Sequence, residues 1–318
     1  MNKKISSARI TDTVLMIRPV RFDLNEETLE SNAFQDRTRS DTPAVINAKA
    51  LAEFDIFVEK LRKLGVEVIV FRDTPEPYTP DSIFPNNWVS FHPDGKVVTY
   101  PMQAVNRRKE RRLDIIAALQ SKHKLYVEQV LAFETEQEPK NQFLEGTGSL
   151  VIDRANRISY ACRSPRTHDQ ALADWSKLMD CRCVSFRATD ENDQEIYHTN
   201  VLMCLGDYFS VVCLDAIKDE AERKEVIETL EETDREVIEI SHEQMNRFAG
   251  NMLQVKNQKG ERILVMSKSA YQSLNDAQVT RLREYNDYLL AAKIPTIEQY
   301  GGGSARCMIA EVFLPLAD

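Results

Sequence analysis

Val201-Leu202-Met203-Cys204-Leu205-Gly206-Asp207-Tyr208-Phe209-Ser210-Val211-Val212-Cys213 holds two apolar runs on either side of Gly206-Asp207. Glycine next to aspartate supplies the backbone angles that a tight turn needs, so the stretch reads as a β-hairpin. A helix over about 216–232 follows, and the short run Val237-Ile238-Glu239-Ile240 then reads as a third strand. The unit is strand, strand, helix, strand.

The same order recurs on both sides. Upstream, Trp88-Val89-Ser90-Phe91 and Val97-Val98-Thr99-Tyr100 flank the turn His92-Pro93-Asp94-Gly95, with a helix over 104–121 and the strand Leu125-Tyr126-Val127. Next, Leu150-Val151-Ile152 and Ile158-Ser159-Tyr160-Ala161 flank Asp153-Arg154-Ala155-Asn156, with a helix over 169–180 and the strand Cys183-Val184-Ser185-Phe186. Downstream, Met252-Leu253-Gln254-Val255 and Ile263-Leu264-Val265-Met266 flank Asn257-Gln258-Lys259-Gly260, with a helix over 270–288 and the strand Thr296-Ile297. A fifth copy is split between the ends. A last strand over 308–316 is expected to pair with Val14-Leu15-Met16-Ile17, whose helix over 44–64 and strand over 66–71 follow. In that helix Leu51, Phe54, Phe57, Val58 and Leu61 fall at helical spacing. Units that cannot cover their own apolar faces become stable by stacking. Five ββαβ units closed end to end are therefore expected, in one α/β domain spanning residues 1–318. A doubly wound sheet would alternate single strands with helices, and the hairpins argue against it.

A net charge of −9 opposes nonspecific binding to nucleic acid or to an anionic membrane. No apolar run is long enough to span a bilayer, and residues 1–7 carry charge with no apolar core behind it, so neither a span nor a signal peptide is expected. The six cysteines are scattered, with no CxxC pair and no histidine spacing typical of zinc. Cys181-Arg182-Cys183 has no partners and reads as strand packing. A reduced, cytoplasmic protein without metal or cofactor is the expectation, and assembly into a homo-oligomer stays open.

If the units circle an axis, the residues before each first strand face one centre. Those entries are Asp81-Ser82-Ile83-Phe84-Pro85-Asn86-Asn87, Leu144-Glu145-Gly146-Thr147-Gly148, Tyr197-His198-Thr199-Asn200, Gly250-Asn251 and Gly303-Ser304-Ala305-Arg306-Cys307. They gather two acids, one of only five histidines, several amides and a thiol. A cysteine and a histidine distant in sequence are a nucleophile and its proton shuttle in many hydrolases. The glycines before Cys307 let backbone approach a ligand closely. Arg107 and Arg108 lie in a basic run that also suits a solvated helix face, and Arg166 stands just before a helix.

These residues resemble the guanidino-group-modifying enzymes: arginine deiminase, dimethylarginine dimethylaminohydrolase and the amidinotransferases. Asp81-Ser82-Ile83-Phe84-Pro85-Asn86-Asn87 resembles their Asp-x-x-Phe-x-x-Asp, and Glu145-Gly146-Thr147 their Glu-Gly-Gly/Thr. His198-Thr199-Asn200 is similar to His-x-Asp, and Gly302-Gly303-Ser304-Ala305-Arg306-Cys307 to Gly-Gly-x-x-Cys with one residue added. Arg107-Arg108-Lys109-Glu110 and Arg166-Thr167 resemble stretches near a carboxylate-binding arginine. The resemblance implies a five-bladed α/β propeller, or pentein, and a small amino-acid substrate with a ureido or guanidino group. It also implies Cys307 as nucleophile, His198 as proton shuttle, Glu145 as holder of the substrate N–H groups, and Arg166 with Arg107 or Arg108 on the α-carboxylate. Asp81, Asn86, Asn87 and Asn200 would line the substrate.

The departures are informative. Arginine deiminases grip the guanidinium between two aspartates, whereas Asn87 and Asn200 stand at those positions here. A carboxylate suits a cation, while a carboxamide offers donors and one acceptor, as a neutral ureido group requires. The chain therefore looks like a citrulline-utilising hydrolase, releasing ornithine, ammonia and CO2. Alternatives are an arginine deiminase or dimethylarginine hydrolase, an amidinotransferase, and a non-catalytic pentein that acts as a binding module.

Overall fold

Helix Pro43–Lys63 illustrates how pattern becomes structure. Proline sits at its start, where an N–H has no partner to lose, and the Thr42 side chain accepts from the Val45 N–H. Ile46, Ala50, Phe54, Phe57, Val58 and Leu61 form its buried stripe; each large side chain contributes about 1.5–3 kcal/mol over exposure. The structure is a computed structural model and describes residues 9–29, 32, 34–36, 38 and 40–317. Residues 1–7, read above for a leader, lie outside the described residues.

The helix connects β1 (Thr13–Arg18) to a parallel partner, β2 (Glu67–Arg72). The next unit has β3 (Val89–Phe91) antiparallel to β4 (Lys96–Thr99), which lies parallel to β5 (Gln129–Ala132). The pattern repeats in β6 (Val151–Asp153), β7 (Ile158–Cys162) and β8 (Arg182–Phe186). It repeats again in β9 (Met203–Leu205), β10 (Phe209–Val212) and β11 (Glu236–Glu239). The last full unit is β12 (Leu253–Lys256), β13 (Arg262–Ser267) and β14 (Tyr288–Ala292). Finally β15 (Ala310–Glu311) returns antiparallel to β1, with Leu15 opposite Ala310. Among the described residues these make five three-stranded sheets of one topology, and the split copy is assembled from both ends of the chain.

Apolar clusters join neighbouring sheets. Leu15, Ile17 and Ile69 pack with Val89, Phe91 and Val97, and Val98 and Tyr100 with Ala161 and Trp175. Tyr160 and Val184 share a cluster with Met203, Val211, Leu264 and Met266. Val255, Val265 and Leu290 meet Val14, Met16 and Val68, which brings the fifth sheet against the first.

Six expectations need correction. Leu125-Tyr126-Val127 is not the third strand of its unit: Leu125 bridges to Leu316 and the Tyr126 N–H bonds to the Pro315 carbonyl. The tail takes that backbone, and the more exposed Gln129–Ala132 pairs with β4 instead. Thr296-Ile297 is helical, within Pro295–Gly301. Pro295 begins that helix, and the Glu53 carboxylate accepts its Thr296 and Ile297 N–H groups. Val201 and Leu202 are buried in a helical turn, Thr199–Leu202, ahead of β9; a short buried apolar run does not distinguish the two conformations. The final strand is far shorter than 308–316, because residues 302–309 form a loop. Helices expected over 104–121 and 270–288 are each broken in two, at Leu113–Ser121 and at Asp276–Tyr285 respectively, behind a shorter helical turn.

Candidate active site

Each hairpin is entered through a short turn carrying the polar residues quoted above, and contacts tie these turns together. Pro85–Asn87 is a 3-10 turn, while Gly146–Ser149 and Thr199–Leu202 are single helical turns. Thr147 Oγ1 donates to the Asn86 carbonyl at 3.3 Å, and Thr199 Oγ1 to the Ser149 carbonyl at 2.5 Å. Asn251 Nδ2 donates to the Asn200 carbonyl at 2.8 Å, and the Arg306 N–H donates to Asn251 Oδ1 at 3.0 Å. The last link is packing: a Cβ on Gly301 or Gly303 would stand 2.7 or 2.9 Å from the Phe84 ring. The glycines before Cys307 thus make room for an aromatic side chain of the second unit.

Glu145 and His198 form the centre of a buried charged group. His198 Nε2 lies 2.8 Å from Glu145 Oε2, while Glu145 Oε1 accepts from the Gln103 N–H at 3.0 Å. Burial works to raise the Glu145 carboxyl, but Arg166, the His198 bond and Arg107 outweigh it and hold it well below the usual carboxylate range. An ionised carboxylate only accepts, so the Nε2 proton points at Glu145 and Nδ1 keeps the lone pair. Burial, against the pull of Glu145, lowers His198 to about 4. The imidazole is therefore neutral near pH 7 and able to take a proton. Gly148 is required beside it, since a Cβ there would come within 2.3 Å of Asn87 Nδ2 and 2.8 Å of His198 Nδ1.

Cys307 is 6% exposed and sits in the loop between helix Pro295–Gly301 and β15. Gly302 lets the chain leave that helix with φ +62°, and the Cys307 N–H bonds back to the Ser304 carbonyl at 3.0 Å. Two carboxamides face the sulfur: Asn251 Nδ2 at 3.3 Å and Asn200 Nδ2 at 3.6 Å. Asn200 thus links the thiol to the turn that carries His198.

Asn87 Oδ1 accepts from Arg107 Nη1 at 3.0 Å. The same guanidinium is gripped by Glu110 at 2.9 and 3.0 Å and lies 3.5 Å from Asp81 and 3.9 Å from Glu145. Asp81 also accepts from Asn25 Nδ2 at 2.6 Å, and burial raises its carboxyl above the ordinary range despite Arg107. Five buried polar atoms of this group have no hydrogen-bond partner among the described residues: Asp81 Oδ1, Asn86 Nδ2 and Oδ1, Asn87 Nδ2 and Asn200 Oδ1.

Of the three arginines named from the sequence, two join this group. Arg166 is buried with Nη1 3.5 Å from Glu145 Oε2 and its guanidinium over the Tyr197 ring. Arg107 is held as described, facing carboxylates. Arg108 turns away: it bonds to the Met102 carbonyl at 2.9 Å, approaches Glu138 at 3.7 Å and stacks on Phe143. Three residues given no role from the sequence also belong here. Asn251 touches the thiol, Glu110 holds Arg107, and Tyr197 packs on His198 and donates its hydroxyl to the Gly302 carbonyl at 2.8 Å. Asn251 follows Gly250 in the same position as the other entries, which is the signal that could have found it. Among the described residues no group of three His, Cys, Asp or Glu side chains is arranged to hold a metal ion.

A cleft of about 1020 Å³ adjoins the group; Asn25, which bonds to Asp81, and Asn106 line it with Arg21, Asp23 and Tyr78. Across the site, Phe34 packs on Tyr197 and Phe248, and Gln35 Nε2 donates to the Tyr300 carbonyl at 3.1 Å.

The five ββαβ units among the described residues, with a buried cysteine, histidine and glutamate at their entries, belong to the pentein superfamily of guanidino-group-modifying enzymes. A family model described as "N,N dimethylarginine dimethylhydrolase, eukaryotic" matches residues 18–314, and the chain belongs to that family. By sequence, no curated protein matches it. Among solved structures it is similar to ArgZ, an arginine dihydrolase from the ornithine–ammonia cycle in cyanobacteria, with a TM-score of 0.72 and 18% identity over 96% of this chain. It is also similar to a cysteine-to-alanine mutant of AgrE in complex with L-arginine, with a TM-score of 0.73 and 20% identity over 98% of this chain. A third is a cysteine-to-serine mutant of DDAH from Pseudomonas aeruginosa complexed with citrulline, with a TM-score of 0.65 and 13% identity, covering 96% of this chain and 100% of that one. The chain spans 41% of the ArgZ and AgrE chains and 99% of the isolated ArgZ N-terminal domain. Among the described residues no helix is long and apolar enough to cross a membrane.

Proposed function

We propose that this chain hydrolyses the ureido C–N bond of citrulline, giving ornithine, ammonia and CO2, through a covalent bond to Cys307. The observation that carries the reading is the set of unpartnered amide atoms. Asn86 Nδ2 and Asn87 Nδ2 offer donors, and Asn86 Oδ1 and Asn200 Oδ1 offer acceptors. A buried polar atom without a partner costs about 1–3 kcal/mol, so a cluster of them is retained where a ligand completes it. A ureido group has one carbonyl acceptor and N–H donors on both nitrogens, matching that mixture without requiring a counter-ion. Arg107 fixes the orientation of Asn87: a guanidinium only donates, so the Asn87 oxygen faces it and the amide nitrogen is left for the substrate carbonyl.

In this reading the Cys307 proton passes to His198 and the thiolate attacks the ureido carbon, while the carbonyl electrons move onto oxygen, which the Asn87 amide supports. As the intermediate collapses, a C–N bond breaks and His198 delivers a proton to the departing nitrogen. His198 then takes a proton from water, which attacks the thioester-like carbon and frees Cys307. The carbamate so released loses CO2 as its remaining C–N bond breaks, so one water is consumed per citrulline overall. Glu145 keeps the imidazole in its tautomer and, with Asp81, receives substrate N–H groups. Arg166 is the arginine we assign to the α-carboxylate; the Glu110 and Asp81 contacts of Arg107 and the outward position of Arg108 make those two poorer candidates. The cleft lined by Asn25 and Asn106 is the route we assign to substrate entry.

The fold we assign is a closed five-bladed propeller in one domain, supported by the apolar clusters that join each sheet to the next and the fifth to the first. Six free cysteines suit a reducing cytoplasm. A second reading, hydrolysis of an amidine such as arginine or dimethylarginine, is favoured by the family description and by the free Asp81 Oδ1. Purified protein incubated separately with citrulline, arginine and dimethylarginine, with ornithine, citrulline and ammonia measured, tests the two. Ornithine from citrulline supports the first; citrulline formed from either amidine supports the second.

A further inference from the structure

We propose that Asn251 is a positioning residue that holds Cys307 in its thiolate form. The inference rests on the reading of Cys307 as nucleophile and adds the group that readies it. Every bonding position of the Asn251 amide is assigned by its neighbours. Its Oδ1 accepts from the Arg306 backbone N–H at 3.0 Å, which fixes the amide so that Nδ2 faces the opposite way. One Nδ2 hydrogen goes to the Asn200 carbonyl at 2.8 Å, and the other has Cys307 Sγ before it at 3.3 Å. The side chain is fully buried, so no water competes for that hydrogen.

The surroundings of the sulfur make this donor matter. Among the described residues the side chains bonded to Sγ are carboxamides alone, Asn251 and Asn200, and no cationic group is among them. His198 commits Nε2 to Glu145. A buried thiol ionises with difficulty unless its charge is met by donors or cations. Oriented N–H groups fill that need, and Asn251 is the nearer and the more rigidly held. Its bond to the Arg306 N–H also fixes the backbone one residue before the sulfur, so one side chain both places and charges the nucleophile. As a neutral thiol, Cys307 can donate to Asn251 Oδ1, 3.7 Å away, so the amide serves both states.

The test is the pH dependence of Cys307 alkylation by iodoacetamide, read by peptide mass spectrometry so that the other five cysteines do not interfere. It needs no substrate and stands whichever compound the enzyme hydrolyses. In Asn251→Ala the midpoint is expected to rise by about one unit, a tenfold loss of thiolate at a given pH. In Asn251→Asp the shift is expected to be larger, because an oxygen then faces the sulfur. Should Asn251→Asp fail to fold, Asn251→Ala with an unchanged near-UV spectrum carries the test alone. A midpoint in folded Asn251→Ala equal to that of the unsubstituted protein overturns the proposal.

Discussion

Arg107 Nη1 donates to Asn87 Oδ1 at 3.0 Å, while Glu110 grips the same guanidinium from the other side. A cation deep in the protein thus decides which end of a carboxamide faces the site. Arg107 is also the counter-charge for Glu110 and Asp81, with Glu145 close by. Removing one member of a buried ionic group leaves the others uncompensated, at about 3–5 kcal/mol. Arg107→Met is expected to lose stability of that size in urea denaturation, and Arg107→Met with Glu110→Gln to recover part of it.

His198 sets the acid behaviour. Its value falls from 6.5 to about 4 on folding, so between those pH values the unfolded chain binds the extra proton. Stability therefore falls as pH drops from 6.5 towards 4, by up to about 3 kcal/mol for this group. The lowered Glu145 carboxyl acts in the same direction at still lower pH. Denaturation midpoints measured across pH 4–7 should show the slope, and His198→Gln should flatten it. The acid limb of kcat/KM should likewise lie well below pH 6.5.

Much of this was legible in the sequence and some of it was not. The hairpins of four units follow from apolar runs around turn residues and the split fifth unit from apolar runs at the two ends, and the entry residues Glu145, His198, Asn200 and Cys307 come together as their register requires. The third strands were harder: Leu125 is apolar because it meets the tail, where it bridges to Leu316, and Thr296 lies in a helix against Pro43–Lys63, so neither belongs to the third strand of its unit. The arginines were hardest. Arg107 and Arg108 are adjacent in one basic run, yet one is buried on three carboxylates and the other stacks on Phe143. That difference depends on Glu110, Asp81 and Glu145 meeting in space, which spacing along the chain does not report.

Gly148 separates two parts of the site that a single methyl would disturb. A Cβ there meets Asn87 Nδ2 at 2.3 Å and His198 Nδ1 at 2.8 Å. Gly148→Ala should displace both, costing about 1–3 kcal/mol by overpacking and roughly a hundredfold in kcat, since a shift of about 1 Å has that effect. Steady-state kinetics beside a melting curve checks both figures.

Cys307→Ser tests the nucleophile. A hydroxyl is far less ionised than a thiol near neutral pH, so turnover should fall by several orders of magnitude. The melting temperature should hardly move, because the sulfur is replaced by a smaller atom in an already polar surrounding. Equal turnover by the two proteins would remove Cys307 from the mechanism.

In the proposed reading the amides of Asn87 and Asn200 select a neutral substrate. Two carboxamides leave a buried guanidinium without counter-ions at those positions, and a site built for one hydrogen-bonding pattern rejects its mismatch by about 10⁴-fold. In Asn87→Asp with Asn200→Asp, citrulline turnover should drop, since carboxylates repel its carbonyl oxygen, and arginine binding should tighten. The most direct measurement is kcat/KM for citrulline and for arginine on the same preparation of the unsubstituted protein. A preference for citrulline of about 10³-fold or more is the predicted result; arginine turned over as well as citrulline, or better, would contradict the account.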